Sequence, residues 1–423
     1  MSKKLKVTIN GTGFAGDYTA RCYGMIPHQN GLEIELAGIT SGQLANAERF
    51  AEQHSVAKAF ASHQQMLEEL GPVDIDNIAC ANFAHGPYTK EAAEANVGVI
   101  VLEKPPVIWP GYPEGKEAAA ETKKKESMAY LSEVLDVVRR QGSKLLYAED
   151  FVYFDGVKGL VELLIEAQKT GKGKVLYQQG VCAHPGSHAP AYDTPAKSGG
   201  GALFNKACHP LGPCLYLKQV EGILRDGKPI RPKRVSALAA QILKAQSPEV
   251  GEHFRVMQNV DDFGRITVIF EDDTIAEVVG YDLCISGIYN ALSITADFAQ
   301  YDINVNPNNE NQLFLPDDKS AGNLLLREKL PTSRGTSFPR PNQFHAHGYV
   351  NEMHDAVVCA LQADRHPQSG ALMAWDTMAV LMAGYESAEK GSRFIELDEY
   401  LAREFPANEM PDPYTFGSVF QRT

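Results

Sequence analysis

Three glycines near the start of the chain have the spacing of an anion-binding turn. Gly11, Gly13 and Gly16 follow a β-rich run at residues 5–9 and precede a predicted helix at residues 17–25. In a G-x-G-x-x-G turn, the first glycine permits the tight bend, and the second lets backbone N–H groups approach a pyrophosphate. The third lets helix and strand pack closely, and the helix N-terminus adds positive potential. We therefore expect a dinucleotide to bind here, at Gly11, Thr12, Gly13, Phe14, Ala15 and Gly16.

The end of the second predicted strand bears on which dinucleotide would bind. Residues 33–39 form that strand, and Ser41 follows it where an acidic residue normally holds the ribose 2′-hydroxyl. Without a carboxylate, a 2′-phosphate is not repelled, which favours NADP. However, Arg49 is too far along the next helix to pair with that phosphate directly. The sequence therefore leaves both NAD and NADP open, with NADP slightly favoured.

Polar residues follow two further predicted strands. Asn82 and His85 come after a strand at residues 76–80, and Glu103 and Lys104 come after an apolar run at residues 97–102. Because the carboxyl ends of parallel strands meet at one edge of a sheet, we expect these residues to lie beside the glycine turn. A lysine there could stabilise a developing oxyanion. The alternative is an ordinary exposed pair of charges at a strand end.

A second glycine-rich segment contains the other candidate for proton transfer. Three consecutive glycines at 199–201 precede Asn205 and His209. Histidine exchanges protons near neutral pH. An amide can orient a hydroxyl group but cannot take up a proton as a carboxylate does. We therefore expect His209 to act as acid and base and Asn205 to position a substrate hydroxyl, the alternative being a buried structural histidine.

Two other groups of histidines raise the question of a metal. His184 and His188 lie in one loop, where an intervening proline and glycine exclude helical i,i+4 geometry, so we expect them to contact substrate. His345, His347 and His354 lie at the start of another predicted helix. A metal site needs further ligands on a rigid element. We predict no metal, although both groups leave that alternative open.

Length and element pattern predict two domains. The chain has 423 residues, which is long for one domain. Strands and helices alternate up to residue 148, which predicts an α/β, doubly wound parallel sheet. From residue 234 onward, strands follow one another without helices, which predicts a mostly antiparallel sheet in an α+β domain. We place the domains at residues 1–149, the dinucleotide-binding domain, and 150–423, the substrate and oligomerisation domain.

Composition excludes several classes of partner. A net charge of −13 argues against nucleic acid and anionic membranes. The sequence contains no uninterrupted run of about 18 apolar residues, so we expect no membrane span. The basic start lacks the apolar core of a secretory signal. Seven cysteines without a C-x-x-C pair fit reduced thiols. We expect a cytoplasmic protein with a small-molecule substrate.

Taken together, these motifs resemble the Gfo/Idh/MocA oxidoreductase family. The resemblance rests on the first glycine turn, on Asn82 and His85, and on Glu103-Lys104-Pro105. Residues 199–209 are similar to the family segment G-G-G-A-L-x-D-x-G-x-H. Asn205 stands where the family has aspartate, and Ala207 stands where it has glycine. The resemblance covers nearly the whole chain and is strongest over residues 5–105 and 198–212.

The resemblance implies a fold and a chemistry. It implies an N-terminal Rossmann domain and a C-terminal domain whose open-faced sheet serves oligomerisation, hence a homodimer or homotetramer. In the family, the lysine lies between nicotinamide and substrate, and the glutamate lies near the cofactor ribose. In the family, the aspartate and the histidine share one helical face that points into the active site. Asn205 departs from that pattern because it has an amide where the family has a carboxylate. A cis Lys104–Pro105 bond, which would turn the lysine toward the cleft, is a further hypothesis.

The expected activity is NAD(P)-dependent hydride transfer between the nicotinamide and a carbinol carbon of a sugar, cyclitol or glycoside. Lys104, Asn205 and His209 would be the catalytic residues, and His184 and His188 would add substrate contacts. Two alternatives share the same residues. One is a redox-neutral glycoside hydrolase or lyase that oxidises its sugar transiently, and the other is a non-catalytic NAD(P)-binding regulator.

Overall fold

The computed structural model describes most of the chain, and the architecture below concerns these residues alone. They are residues 3–26, 32–112, 115–116, 118–186, 190–246, 254, 256–285, 287–306, 310–314, 336–339, 348–405 and 411–412. His188, His345 and His347 lie outside them, so the predictions for these histidines have no structural counterpart here.

The N-terminal part is a six-stranded parallel sheet in the order β3-β2-β1-β4-β5-β6. Its strands are β1 Lys3–Asn10, β2 Leu32–Thr40, β3 Ala59–Phe60, β4 Ile75–Ile78, β5 Val99–Glu103 and β6 Lys144–Ala148. Its helices are α1 Phe14–Met25, α2 Leu44–His54, α3 His63–Leu70, α4 Asn82–Glu94 and α5 Ala120–Gln141. Strand β4 is buried throughout, as expected when helices cover both faces of a sheet.

The C-terminal part is a nine-stranded mixed sheet in the order β14-β13-β12-β11-β7-β10-β9-β8-β15. The strands are β7 Val175–Ala183, β8 Pro232–Ala240, β9 Phe263–Phe270, β10 Ile275–Tyr281, β11 Tyr289–Ala296, β12 Gln300–Asn306, β13 Glu310–Phe314, β14 Thr336–Pro339 and β15 Ile395–Glu396. Strands β7 and β10 pair in parallel, whereas the other pairs are antiparallel.

Helices cover one face of this second sheet. The helices of the C-terminal part are α6 Asp155–Gln168, α7 Pro195–Ser198, α8 Ala202–Asn205, α9 Cys208–Asp226, α10 Tyr349–Leu361, α11 Ala371–Glu389 and α12 Leu397–Glu404. Helix α9 packs on β7 and β10, and α11 packs on β8. Alternate residues of β11 are buried and half-buried, which is the pattern of a sheet with one covered face. Three short 3₁₀ helices complete the described elements, at Asp150–Tyr153, Pro190–Asp193 and Leu243–Ala245.

One C-terminal helix packs against the N-terminal sheet. Helix α10 contacts α1 and strands β4, β5 and β6. Its apolar residues Val350, Met353 and Val357 share a buried cluster with Leu5 and Val7 of β1. The division of the chain at residue 149 stays a prediction, and α10 contributes to the core on the N-terminal side of that division.

The predicted fold class is confirmed by the two sheets. The predicted helix at 87–96 is longer than expected, because α4 begins at Asn82 and contains Pro87 in its interior. Asn82 and His85 therefore lie in the first turns of a helix and not in an open turn. Among the described helices, none combines the length and the apolar character needed to cross a bilayer.

Candidate functional site

A cavity of about 550 Å³ opens at the carboxyl ends of β1, β2, β4 and β5. Its lining includes twelve of the fifteen sequence-predicted site residues: Gly11, Thr12, Gly13, Phe14, Ala15, Ser41, Asn82, His85, Glu103, Lys104, His184 and His209. The exceptions are Gly16, Asn205 and His188, the last of which is not described. The cavity also reaches Tyr192 and Lys206 from the C-terminal part. Both parts of the chain thus contribute to one site.

The glycine turn is shaped by close backbone contacts. Gly11 has φ +114°, and a Cβ atom there would lie 2.2 Å from the carbonyl oxygen of Ala79. A Cβ atom at Gly16 would lie 2.0 Å from the carbonyl oxygen of Gly11, so only glycine fits at this position beneath the turn. Helix α1 begins immediately after Gly13 and directs its N-terminus toward the cavity. A tight glycine turn directly before a helix N-terminus fits a pyrophosphate, because backbone N–H groups and the positive end of the helix can face the anion.

Two residues at the start of α4 contact the backbone of neighbouring segments that border the cavity. Asn82 donates its side-chain N–H to the carbonyl oxygen of Ser198, over 2.9 Å. Nδ1 of His85 lies 2.7 Å from the carbonyl oxygen of Pro105, and the Lys104–Pro105 bond is cis. Burial lowers the pKa of His85 to about 4, so the ring is neutral. Its position indicates that it holds the backbone beside Lys104 in place.

Glu103 is held by an aromatic pair. The hydroxyl group of Tyr18 donates a hydrogen bond to the Glu103 carboxylate. The ring of Tyr349, at the start of α10, stacks on the Tyr18 ring with 4.2 Å between centroids. Burial raises the pKa of Glu103, and the hydrogen bond from Tyr18 and the charge of Lys104 oppose this effect. The carboxylate is thus fixed at the carboxyl end of β5.

Lys104 faces a tyrosine that the sequence analysis did not single out. Its Nζ atom lies 3.4 Å from Oη of Tyr192 and 3.2 Å from the carbonyl oxygen of Asn205. Burial lowers the pKa of Lys104, but Tyr192, Cys208 and nearby carboxylates outweigh burial and raise it. The lysine is therefore cationic and aimed into the cavity. Burial raises the pKa of Tyr192, yet Lys104 and Lys206 outweigh it and lower this pKa.

His209 is held by two carboxylates. Its Nδ1 atom lies 2.8 Å from Oε1 of Glu149 and 3.3 Å from Oδ1 of Asp150. Its ring stacks on Phe151, with 5.1 Å between centroids. Burial favours the neutral imidazole, but Glu149 and the hydrogen bonds outweigh it and raise the pKa of His209 to about 9. The ring is therefore protonated at neutral pH, and Nε2 remains for a substrate.

The placement of Asn205 corrects one expectation. Asn205 and His209 do not share one continuous helix, because α8 ends at Asn205 and α9 begins at Cys208. The reason lies in Pro210, which has no N–H for the i→i−4 bond that a continuous helix would need there. Asn205 is 1% exposed, and its amide donates to the carbonyl oxygen of Gly200 over 2.7 Å. It supports the glycine loop from below, and Lys206 lines the cavity instead.

The remaining predicted histidines are separated. His184 lines the cavity, whereas His354 lines a different polar cavity of about 510 Å³ beside Lys158 and Arg365. In the part of the chain that the structure describes, one group could share a metal ion, and it consists of Glu149, Cys208 and His209. Within this group, Nδ1 of His209 already lies 2.8 Å from Oε1 of Glu149.

Several site residues were not found from the sequence. Glu149 and Asp150 follow β6 at the same edge as the other polar residues, and this position was a usable signal. Tyr192 and Lys206 gave no signal, because their roles depend on contacts between distant segments. Asp261 likewise acts at a distance, since it accepts hydrogen bonds from the backbone N–H groups of the glycine loop at 201 and 203.

Comparison with known proteins supports the fold and the dinucleotide site. Residues 5–132 match the Gfo/Idh/MocA family, described as an oxidoreductase family with an NAD-binding Rossmann fold. The predicted resemblance is thereby confirmed over residues 5–132, a range that contains the glycine turn and Glu103-Lys104-Pro105. No curated protein matches the chain.

Solved structures of similar fold match nearly the full length. An NAD binding oxidoreductase from Klebsiella pneumoniae is 18% identical, covers 93% of this chain and 99% of its own, and has a TM-score of 0.70. Levoglucosan dehydrogenase in complex with NADH is 16% identical, with coverages of 93% and 99% and a TM-score of 0.71. Aldose-aldose oxidoreductase from Caulobacter crescentus, complexed with glycerol, is 17% identical, with coverages of 93% and 100% and a TM-score of 0.66. At these identities the likeness is one of fold.

Proposed function

We propose that this chain, whose residues 5–132 match the NAD-binding Gfo/Idh/MocA oxidoreductase family, is an NAD(P)-dependent enzyme acting on a sugar, cyclitol or glycoside. A hydride would pass between the nicotinamide and a carbinol carbon of the substrate. One observation carries the proposal: Lys104 and His209 line the same cavity as the glycine turn at Gly11. A cation and a proton-exchanging group therefore reach the cavity that holds the dinucleotide.

His209 exchanges the proton of the reacting hydroxyl group. In the reducing direction, its protonated Nε2 donates to the carbonyl oxygen as that oxygen gains negative charge. In the oxidising direction, the neutral ring takes the proton from the hydroxyl group. Glu149 stabilises the protonated ring through Nδ1 at 2.8 Å, so the oxidising direction accelerates as pH rises toward about 9.

Lys104 stabilises the oxyanion that forms during the reaction. Its ammonium group is fixed by Tyr192 and by the carbonyl oxygen of Asn205, so little reorganisation is needed when charge develops on the substrate oxygen. When bound, the nicotinamide supplies or accepts the hydride. Asn205 acts from below the cavity by holding the glycine loop, and a direct contact with substrate is not part of this mechanism.

The dinucleotide would be held by the glycine turn and by α1, with Ser41 and Glu103 near its ribose groups. Ser41 lies 3.3 Å from Thr12, measured between their hydroxyl oxygens, at the end of β2. Because neither Ser41 nor Thr12 is acidic, a ribose 2′-phosphate would meet no carboxylate from these two residues. This arrangement supports NADP slightly more than NAD, as the sequence suggested.

A carbohydrate or cyclitol substrate is supported by two considerations. Levoglucosan dehydrogenase and aldose-aldose oxidoreductase share the fold over more than nine-tenths of this chain. The substrate end of the cavity is also polar, since Lys104, Tyr192, Lys206 and His209 all reach it. Hydroxyl groups of a polyol can satisfy such a set of donors and acceptors.

The test is a panel of aldoses, cyclitols and glycosides incubated with NAD or NADP, followed by absorbance at 340 nm. Reduced cofactor should accumulate with at least one compound in the wild-type protein. Lys104→Ala should lower kcat/KM by at least about 100-fold while cofactor affinity stays within a few-fold. Lys90→Ala is the control, because Lys90 pairs with Glu133 away from the cavity.

The same assay separates the two alternatives. Consumption of a glycoside without a change at 340 nm would indicate the redox-neutral hydrolase or lyase. Cofactor binding without turnover of any compound, unchanged in Lys104→Ala and His209→Ala, would indicate a regulator and contradict our proposal.

We further propose that the face of the second sheet that none of the described helices covers (the uncovered face) mediates a homodimer or homotetramer. A shallow cavity on this face is lined by polar and apolar side chains, including Arg265, Glu277 and Tyr289. Sedimentation of the wild-type protein and of Tyr289→Asp tests this proposal, because a charge placed in an interface should shift the protein to monomers. A monomeric wild-type protein would contradict it.

A further inference from the structure

A buried ion pair beside the cavity has a gap between its charged atoms. Lys206 lines the cavity and is 4% exposed, and Asp282 is 3% exposed. Nζ of Lys206 lies 4.0 Å from Oδ1 of Asp282, which is too far for a hydrogen bond. Oδ1 of Asp282 is buried without a hydrogen-bond partner among the described residues. Nζ of Lys206 also lies over the Tyr192 ring, 5.1 Å from its centroid.

The position of this pair is set by backbone packing. Strand β10 ends at Tyr281, directly before Asp282, and Gly280 packs against the junction of α8 and α9. A Cβ atom at Gly280 would lie 2.2 Å from the backbone nitrogen of Ala207 and 2.7 Å from the backbone carbon of Lys206. The backbone segments that carry the two charged side chains are therefore held close to each other.

The charges around the pair favour a neutral partner. Tyr192 lies between the ammonium groups of Lys104 and Lys206, and His209 is also cationic at neutral pH. Asp282, Glu149, Asp150 and Glu103 supply four carboxylates against these three cations. An anionic substituent would find no excess positive charge. A hydroxyl group can accept from an ammonium and donate to a carboxylate at once, with an oxygen about 2.9 Å from each.

We propose that Lys206 and Asp282 form a specificity subsite for a second, non-reacting hydroxyl group of the substrate. The proposal rests on the proposed function, because the reacting hydroxyl group lies at Lys104 and His209. It restricts the substrate to a polyol that carries at least one further hydroxyl group near the reacting carbon.

Monodeoxy analogues of the best substrate from the panel test the subsite. With wild-type protein, one analogue should lose about 10- to 100-fold in kcat/KM, because it leaves a buried charged pair without its hydroxyl partner. Lys206→Met should lose a similar factor with the full substrate and should no longer discriminate against that one analogue. Asp282→Asn should show the same loss of discrimination.

Lys124→Met is the matched control. Lys124 is also a mostly buried lysine in an ion pair, with Glu389, but it lies away from the cavity. It should leave both kcat/KM and discrimination unchanged. If Lys206→Met discriminates among all analogues as the wild-type protein does, the subsite proposal is overturned while the proposed function stands.

A crystal of the NADH-bound protein soaked with the turned-over polyol, or with glycerol if none is turned over, gives a second readout. A hydroxyl oxygen bonded to both Lys206 and Asp282 is expected. Water alone between them, an adventitious additive only, or a hydroxyl group that remains in Lys206→Met crystals with unchanged contacts elsewhere would overturn the subsite. Absence of turnover with any polyol contradicts the proposed function separately, whatever the crystals contain.

Discussion

Nδ1 of His209 lies 2.8 Å from Oε1 of Glu149, and no part of Glu149 is exposed to solvent. The carboxylate follows strand β6, whereas the histidine is at the start of α9, 60 residues later. The pair therefore forms only when the two sheets are assembled. The charge of Glu149 keeps the imidazole of His209 protonated at neutral pH. Donating a proton to a substrate oxygen is therefore easier at that pH than taking one up.

Replacing Glu149 should change the pH dependence of the reaction. Glu149→Gln removes the charge that raises the pKa of His209 to about 9, while the amide keeps the shape of the side chain. The pH at which oxidation reaches half of its maximal kcat/KM should fall by about one unit or more. Rates between pH 5 and 10 measure this shift. Glu277→Gln, on the uncovered sheet face, is the control, and an unshifted profile in Glu149→Gln would assign the titration to another group.

The glycine turn offers a sharp test of the dinucleotide site. Gly11→Ala forces a side chain into a backbone with φ +114° and against the Ala79 carbonyl group, so we expect a loss of about 2 kcal/mol or more in unfolding free energy and no cofactor binding. Gly24→Ala is the matched control, since its Cβ atom meets nothing within 4 Å in α1. It should stabilise the protein by about 0.5 kcal/mol. Urea unfolding and cofactor titration give both results, and normal cofactor binding by Gly11→Ala would contradict the site.

Cofactor choice should depend on the residue after β2. Ser41→Asp supplies the carboxylate that repels a 2′-phosphate and accepts the 2′-hydroxyl of NAD. The ratio of the NADPH to the NADH dissociation constant should rise at least about tenfold, as measured by fluorescence titration. Ser55→Asp adds the same charge at the opposite end of α2 and should leave the ratio unchanged. An equal ratio in both variants would mean that Ser41 does not face the ribose.

Folding stability should depend on pH through a buried histidine away from the cavity. Nε2 of His63 lies 2.9 Å from Asp76, and Nδ1 lies 2.7 Å from Glu91. Burial lowers the pKa of His63, but these carboxylates outweigh it and raise the pKa from 6.5 to about 9. The folded state therefore holds the proton more tightly than the unfolded state. The resulting stabilisation is complete below pH 6.5 and is lost as pH rises through about 9.

Urea unfolding at pH 6 and pH 9.5 measures this effect. The wild-type protein should lose about 1–3 kcal/mol more than His63→Gln does over that interval. The difference between the two proteins removes the contribution of His209, which has the same sign. Equal losses in both proteins would show that His63 is not charged in the folded state.

The sequence predicts those features that depend on local pattern. The strand predicted at residues 33–39 matches β2 to within one residue at each end, and the glycine turn lies between a strand and a helix as expected. The polar residues after β2 and β5 meet at one edge, because this follows from parallel strand geometry alone. Lys104 could therefore be placed at that edge in advance, whereas His209 was placed beside it by the resemblance to the family segment.

Other features depend on contacts that no local pattern reveals. The break between α8 and α9 follows from Pro210. The resemblance to a family segment with one continuous helical face did not predict this break. The partners Lys206 and Asp282 come from different elements, and their pairing depends on the close approach of Gly280. Tyr192 gains its role from Lys104, 88 residues away. Such pairs are fixed by tertiary packing, on which hydrophobic periodicity carries no information.

Helix α10 has a consequence for how the polypeptide is synthesised. Its side chains Val350, Met353 and Val357 close the apolar surface of the sheet that contains β1. Nascent chains still on the ribosome would expose that surface until residue 361 has emerged. A chain released early, with the whole glycine turn already made, would remain a target for chaperones and proteases.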